Sequence, residues 1–193
     1  MESETQFSPM QMLKRRLYAM RNDIVADSMR HAGCPYRLVF GLNLPQLTEI
    51  AAVTGKSAEM AESLWNDSDL RESALIAPMI YPVEALTPEK ALEIARKSRW
   101  VEDADIISHR LLSRTPFAAE TAEALAADPD RLMRYLALRI MMRLAPQMPE
   151  RAAAMARAEL ARPDALTSLA TSLADNAAEY QNRTGSCPGL SLH

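Results

Sequence analysis

The chain has 193 residues, of which 48% are hydrophobic and only 5% aromatic, and it contains five glycines. This length can bury a substantial core, and a composition rich in Ala, Leu and Met favours helices over a β-sandwich or barrel. The net charge of -3 excludes a protein that coats nucleic acid over its whole surface, although a local basic surface remains compatible with this total.

The cysteines and the first residues bear on the cellular compartment. Cys34 and Cys187 are isolated and form no CxxC pair, which excludes a disulfide framework or a cysteine-based zinc site and favours a reducing compartment. The first residues include Glu2 and Glu4 and no apolar core of signal-peptide length, and no apolar run reaches the length of a membrane span. We therefore expect a cytoplasmic protein with no membrane partner.

Prolines mark the positions where helices are expected to begin. A proline at the first helical position loses no needed hydrogen bond, and a preceding Ser, Thr or Asp can accept from the amide groups that have no partner there. Seven segments with helical spacing follow prolines in this way: Pro9, Pro45, Pro88, Pro116, Pro129, Pro149 and Pro163. The sequence therefore predicts a series of short helices.

The predicted elements follow one another with short connections. The first helix is expected to extend from Pro9 to a turn at Gly33, and its apolar residues recur at helical spacing: Leu13, Leu17, Met20 and Ile24. The loop over 34–43 is apolar enough that we expect it to lie against the helices. Further helices are predicted over 45–54, from Ser57, from about Asp67 to Pro78, from Pro88, after Trp100, from Pro116, from Pro129, over 149–161 and over 163–182.

The spacing of these elements suggests a repeat. Pro88 and Pro129 are 41 residues apart, and HEAT and armadillo repeats have a period of about 40 to 47 residues. We predict an all-α fold, a HEAT-like or armadillo-type α-α superhelix of short helix pairs, with one domain over 1–183 and a disordered tail over 184–193. Because no repeat recurs letter for letter, a compact, non-repeating helical domain is the alternative.

Basic side chains concentrate in the second half of the chain. Between residues 131 and 157 there are six arginines and a single acidic residue, Glu150, whereas the segment 57–89 is strongly acidic. An arginine-rich segment is typical of phosphate binding, and it is equally typical of solvated outer helix faces. The charge pattern alone leaves both interpretations open.

A first stretch of sequence carries a family pattern. It reads Gly41-Leu-Asn-Leu-Pro45-Gln-Leu47-Thr-Glu-Ile50-Ala51, followed by Leu64-Trp65-Asn-Asp-Ser-Asp69-Leu-Arg71. In this order the segments resemble the DNA alkylation repair family, HEAT-like-repeat glycosylases that remove positively charged alkylated purines. The resemblance covers about residues 40–145. It implies the superhelical fold and double-stranded DNA with alkylated bases as a partner.

A second stretch, Ser98-Arg99-Trp100-Val-Glu102-Asp103-Ala-Asp105-Ile106, resembles the segment Ser-Trp-Trp-Asp-x-Val-Asp-x-Ile of that family. The family uses the second tryptophan and the later aspartate at its active site, and Trp100 matches the tryptophan. The aspartate falls on Ala104, between two acidic residues. The resemblance therefore implies Trp100 and Asp105 as catalytic residues, with Asp103 as the neighbouring candidate.

A third segment, Leu132-Met-Arg134-Tyr-Leu-Ala137, is similar to the family helix that places an arginine on the DNA backbone. The resemblance implies that Arg134 binds DNA, and we extend this prediction to the neighbouring Arg131, Arg139 and Arg143. A further family tryptophan falls in the stretch 166–173, which contains no aromatic residue.

The predicted residue types suit one kind of chemistry. A cationic alkylated base is attracted to an indole face by about 0.5 to 2 kcal/mol. A carboxylate beside the deoxyribose would stabilise the positive charge that develops as the glycosidic bond breaks, and arginines would hold the phosphates. No cofactor is expected, and no metal either, because His109 with Glu102 and Asp105 gives too few ligands of too common a kind.

Each of these residues also has a purely structural explanation. Tryptophans such as Trp100 and Trp65 usually pack between helices, and acids such as Asp103 and Asp105 are favoured where a helix begins. The sequence therefore supports two hypotheses. The first is an alkylpurine DNA glycosylase or lesion-binding protein. The second is a helical-repeat scaffold without catalytic activity that binds a protein or a nucleic acid, and it is favoured by the missing second tryptophan and the displaced aspartate.

Overall fold

A computed structural model describes residues 7–67 and 69–185, and these residues form eleven α-helices and no β-strand. The helices are α1 (Pro9–Ala19), α2 (Asp23–His31), α3 (Leu44–Thr54), α4 (Ala58–Asn66), α5 (Arg71–Ile80), α6 (Pro88–Ala95), α7 (Val101–Arg110), α8 (Ala118–Ala126), α9 (Arg131–Leu144), α10 (Pro149–Leu160) and α11 (Thr167–Gly185). The all-α prediction is confirmed, and the helical content is consistent with the predicted α-α superhelix of helix pairs.

The chain divides into two compact units by its internal contacts. The first unit ends at Leu86 and the second begins at Thr87. The single domain predicted over 1–183 stays a prediction. Helix α11 continues to Gly185, and the remainder of the predicted tail, residues 186–193, lies outside the described residues.

In the first unit, α3 and α4 pack against α5, and α1 packs against α3. Trp65 is buried there, with its ring centroid 5.8 Å from that of Tyr81. The predicted packing of the loop over 34–43 is also observed, since Tyr36 and Val39 are buried. Trp65 therefore contributes to a hydrophobic core, which is the structural explanation considered for it above.

A buried carboxylate holds this loop against α5. Glu72 is completely buried, and its carboxylate accepts hydrogen bonds from the backbone N–H groups of Phe40, Gly41 and Leu42 at 3.1, 3.0 and 3.3 Å. The guanidinium of Arg71 donates to the same carboxylate at 2.8 Å and to the carbonyl of Leu42 at 3.1 Å. A buried charge must be both paired and hydrogen-bonded, and the Glu72 carboxylate is both. Gly41, Leu42 and Arg71, which belong to the family-like stretch, thus take part in fixing this loop.

The first predicted helix is divided in two. The structure ends α1 at Ala19 and begins α2 at Asp23, with the side chain of Asn22 accepting from the N–H of Val25 as an N-cap. Ile24, predicted to continue the apolar face, is 83% exposed. The prediction of one continuous helix is wrong because a capping asparagine competes with helical spacing at this position.

Prolines begin some helices and precede others by a short turn. Pro9, Pro45, Pro88 and Pro149 occupy the first or second position of their helices. The helices after the other three begin later, and these prolines lie in the preceding turns: Pro116, Pro129 and Pro163. At α9 the reason is local, because Asp130 accepts from the N–H of Leu132 at 2.8 Å and thereby sets the start of the helix.

The second unit consists of two layers of helices. Helices α7, α9 and α11 are successive neighbours in one layer, and α6, α8 and α10 are successive neighbours in the other. The buried face of α9 joins the layers through Met133, Leu136, Ala137, Leu138, Ile140 and Met141. Within the described residues, none of the helices has both the length and the apolar character needed to cross a membrane.

Candidate functional site

The candidate site is organised around Asp105, which lies at mid-length on α7 with its side chain 35% exposed. Its carboxylate oxygen Oδ1 accepts a hydrogen bond from the Tyr135 hydroxyl at 2.9 Å and lies 2.7 Å from Nε of Arg139. Tyr135 and Arg139 are four residues apart on α9, so they occupy one face of that helix, opposite Asp105. The two helices therefore present a carboxylate, a phenol and a guanidinium at one place.

Tyr135 is a hydrogen-bond donor in this cluster. Burial raises the pKa of Tyr135 to about 12, and the hydrogen bond to Asp105 and its negative charge add to this increase. Because the phenol keeps its proton well above neutral pH, it can hold the carboxylate in place and cannot serve as a base there.

Trp100 lies at the beginning of the same helix. It is the N-cap residue of α7, and its side chain is half-buried. The carboxylate of Asp103, which is only 2% exposed, accepts from the backbone N–H groups of Arg99 and Trp100 at 2.8 and 3.0 Å. Asp103 thus holds the backbone that carries Trp100. Ala104, the position matched to the family aspartate, is completely buried.

The structure places Arg134 on a different side of α9 from Arg139. Its side chain is 2% exposed, and Nε lies 3.2 Å from a carboxylate oxygen of Glu159, while Nη2 lies 2.6 Å from Oδ2 of Asp164. A third guanidinium nitrogen donates to the carbonyl of Pro129 at 2.9 Å. These contacts raise the pKa of Arg134, mainly through the hydrogen bond with Asp164, and the same bond lowers the pKa of Asp164. DNA binding by Arg134 stays a prediction.

The other predicted DNA-binding arginines share a stripe on α9. Arg131, Arg139 and Arg143 recur at intervals of four or eight residues, and Tyr135 completes the series. Arg131 and Arg143 are exposed, and Arg139 is half-buried against Asp105. The stripe therefore follows the helix face that meets α7.

Sequence reasoning missed two features of this site. Tyr135 was overlooked, although its position between Arg131 and Arg139 was a signal that it shares their face. His109 enters the predictions only as a metal ligand, although it lies one turn after Asp105 on α7. Burial lowers the pKa of His109, and the positive charges of Arg143, Arg110, Arg139 and Arg114 lower it further. A cationic cluster thus adjoins Asp105.

A groove of about 290 Å³ lies elsewhere in the second unit, between α8, α9 and α10. Its lining includes Arg134, Leu138, Met155 and Glu159, and none of the three predicted catalytic residues. In the part of the chain that the structure describes, no group of three His, Cys, Asp or Glu side chains could hold a metal ion. The Asp105 cluster therefore lies outside this groove.

The sequence model of the DNA alkylation repair enzyme family matches residues 13–182. The chain belongs to the DNA alkylation repair enzyme family. The match includes α7 and α9 in full, and with them every residue of the Asp105 cluster. No curated protein sequence and no solved structure matches the chain. Membership of the DNA alkylation repair enzyme family supports a role in the repair of alkylated DNA.

Proposed function

We propose that the chain binds double-stranded DNA along the α7–α9 face of its second unit and excises purines alkylated at N3 or N7. The observation that carries the proposal is the Asp105 carboxylate, which is partly exposed, fixed by Tyr135 and Arg139, and located on the helix that Trp100 caps. Family membership supports alkylated DNA as the substrate, since the family is described as DNA alkylation repair enzymes.

In the proposed reaction the alkylated base is already cationic. As the bond between its nitrogen and C1′ of the deoxyribose breaks, the electron pair leaves with the base, which becomes neutral, and positive charge develops on the sugar. The Asp105 carboxylate stabilises that charge, and a water molecule adds at C1′ and releases its proton. The indole of Trp100 contacts the cationic base through a cation-π interaction. No base has to be drawn into a deep pocket.

Arg139 determines how much negative charge the Asp105 carboxylate can offer to this reaction. In the free protein its guanidinium neutralises Asp105 at 2.7 Å. A DNA phosphate near α9 competes for Arg139, because arginine forms charge-assisted hydrogen bonds with phosphates as well as with carboxylates. We expect bound DNA to draw Arg139 away and leave Asp105 negative next to the lesion, with Arg131 and Arg143 holding neighbouring phosphates. Asp103 is then a positioning residue for Trp100.

The proposal is tested by measuring release of 7-methylguanine and 3-methyladenine from alkylated duplex DNA. We expect excision by the wild type and loss of about 10²-fold or more in rate for Asp105→Asn, the effect of losing one preorganised electrostatic group. Trp100→Ala should also reduce excision. The matched control is Asp130→Asn, which removes the same charge from an exposed position while asparagine keeps the N-cap of α9.

The alternative is a binding module without catalysis, and one observation favours it. The ion pair with Arg139 occupies the carboxylate that the reaction needs. A wild type that binds alkylated duplex DNA with no excision above background would establish this second function. A wild type that binds no duplex DNA would refute both.

A further inference from the structure

The surface one helical turn beyond the Asp105 cluster is strongly cationic. His109 lies one turn beyond Asp105 on α7, and Arg143 lies one turn beyond Arg139 on α9. Arg96, which precedes α7, pairs with Asp128, which precedes α9, at 3.3 Å, and further along both helices Asp105 contacts Tyr135 and Arg139. The two helices therefore run in the same direction, and successive turns place His109 on the side of Arg143.

A third element contributes to this cationic surface. The 3-10 turn Leu112–Arg114 packs against both α7 and α9 and ends at Arg114. Arg114 and Arg143 are exposed, and within residues 7–67 and 69–185 neither has an ion-pair partner. Exposed guanidinium groups on elements that pack together repel one another when no carboxylate pairs with them, and an anion bound among them relieves this repulsion.

We propose that His109, Arg114 and Arg143 form a binding site for a phosphate of the DNA backbone and that the phosphate is bound together with a proton on His109. This inference rests on the proposed function, because it assigns a place for the DNA strand beside Asp105. It adds a histidine and an arginine to the predicted DNA-binding residues, and it makes binding dependent on pH.

The coupling to a proton follows from the charges around His109. The groups that act on it are Arg110 of its own helix, Arg114 of the 3-10 turn, and Arg139 and Arg143 of α9, with Asp105 one turn away already paired to Arg139. In the free protein, burial and these cations hold the pKa of His109 below its usual value of about 6.5, so the imidazole is neutral at pH 7. A phosphate that neutralises the arginines would raise this pKa, and the complex would take up a proton.

The test measures affinity for an undamaged duplex at pH 5.5 and 7.5 and constant ionic strength. An increase of one unit in the pKa of His109 on binding gives up to about tenfold tighter binding at the lower pH. We expect this increase in the wild type and its loss in His109→Gln. The control replaces the other two histidines, His31 and His193, by glutamine and should keep the increase. The imidazole resonance of His109 should titrate at a higher pH in the complex than in the free protein.

Arginine variants give a second readout. The slope of log affinity against log salt concentration is set by the number of phosphates that the protein contacts. Arg143→Ala and Arg114→Ala should each reduce this slope by the amount that corresponds to about one phosphate contact. Arg157→Ala, which removes the same charge from an exposed position on α10, should leave the slope unchanged. If the wild type binds no duplex, the proposed function fails and this inference fails with it. If the duplex binds with the same pH dependence in His109→Gln, only this inference is overturned.

Discussion

The hydroxyl of Tyr135 donates a 2.9 Å hydrogen bond to the carboxylate of Asp105, joining α9 to α7 across 30 residues of sequence. This contact lies on the half-buried face where the two helices meet, and it fixes the carboxylate that we propose as the centre of the site. The contact can be tested without any substrate, since the Tyr135 phenol titrates.

Tyr135 should ionise later than the other tyrosines. Burial and Asp105 raise the pKa of Tyr135 to about 12, so the folded protein retains a proton that the unfolded chain loses near pH 10. The stabilising contribution is therefore complete below pH 10 and is lost as the pH rises towards 12. When tyrosinate absorbance is followed against pH, one tyrosine should ionise at a higher pH than the others. This step should be absent in Tyr135→Phe and should move to lower pH in Asp105→Asn. An unchanged titration curve in Tyr135→Phe would contradict the assignment.

Asp103 should act on Trp100 through the backbone. Asp103→Ala removes the acceptor for two N–H groups at the start of α7, and loss of such a cap costs about 1 to 2 kcal/mol of stability. Asp103→Asn keeps an acceptor oxygen and should cost less. Fluorine NMR of fluorotryptophan-labelled protein should show a broadened or shifted Trp100 signal in Asp103→Ala and an unchanged Trp65 signal, with Trp100→Phe providing the assignment.

Replacing Arg134 should affect stability more than DNA binding. Arg134→Met leaves the buried carboxylate of Glu159 without its main partner, and breaking a buried pair in this way costs about 3 kcal/mol. Adding Glu159→Gln to Arg134→Met should recover part of the loss in urea unfolding. Arg131→Met, an exposed change on the same helix, should cost less than about 0.5 kcal/mol. A loss of DNA affinity in Arg134→Met at unchanged stability would instead show that this side chain reaches the phosphates.

Gly33 and Gly41 form a matched pair for separating backbone conformation from steric contact. Both adopt a positive φ, 85° and 75°, but a Cβ at Gly33 meets nothing within 4 Å, whereas one at Gly41 would lie 2.4 Å from the carbonyl oxygen of Asn22. Gly33→Ala should therefore cost about 1 kcal/mol, and Gly41→Ala a further 1 to 3 kcal/mol. Equal losses in thermal or urea unfolding would refute the steric argument.

The local signals in the sequence predicted much of the fold. A helix begins at Pro9 as predicted, with Ser8 and Gln11 forming a capping box, and Ser57 caps α4, the helix predicted to start there. The errors arise where two local signals compete. Asn22 begins a new helix despite the apolar spacing of Ile24, and Asp130 rather than Pro129 sets the start of α9.

The site could be predicted only in part, because its contacts depend on the register between helices. Spacing places Asp105 on α7 and Arg139 on α9, but no pattern in either helix reveals that they form an ion pair at 2.7 Å. The ion pairs of Arg134 are equally hidden, since Glu159 and Asp164 lie 25 and 30 residues further along the chain. Arginines that are close together in the sequence of α9 therefore have different surroundings, which their spacing does not reveal.

The ion pairs of Arg134 also bear on the order in which the protein folds during its synthesis. Glu159 accepts from the N–H of Leu166 at 3.0 Å as well as from Arg134, so the same carboxylate fixes the entry into α11. The chain leaves the ribosome with its N-terminus first, so α9 emerges before Glu159 and Asp164, the two acids that pair with Arg134. The layer that carries the candidate site thus reaches its final packing only after residue 166 has left the exit tunnel.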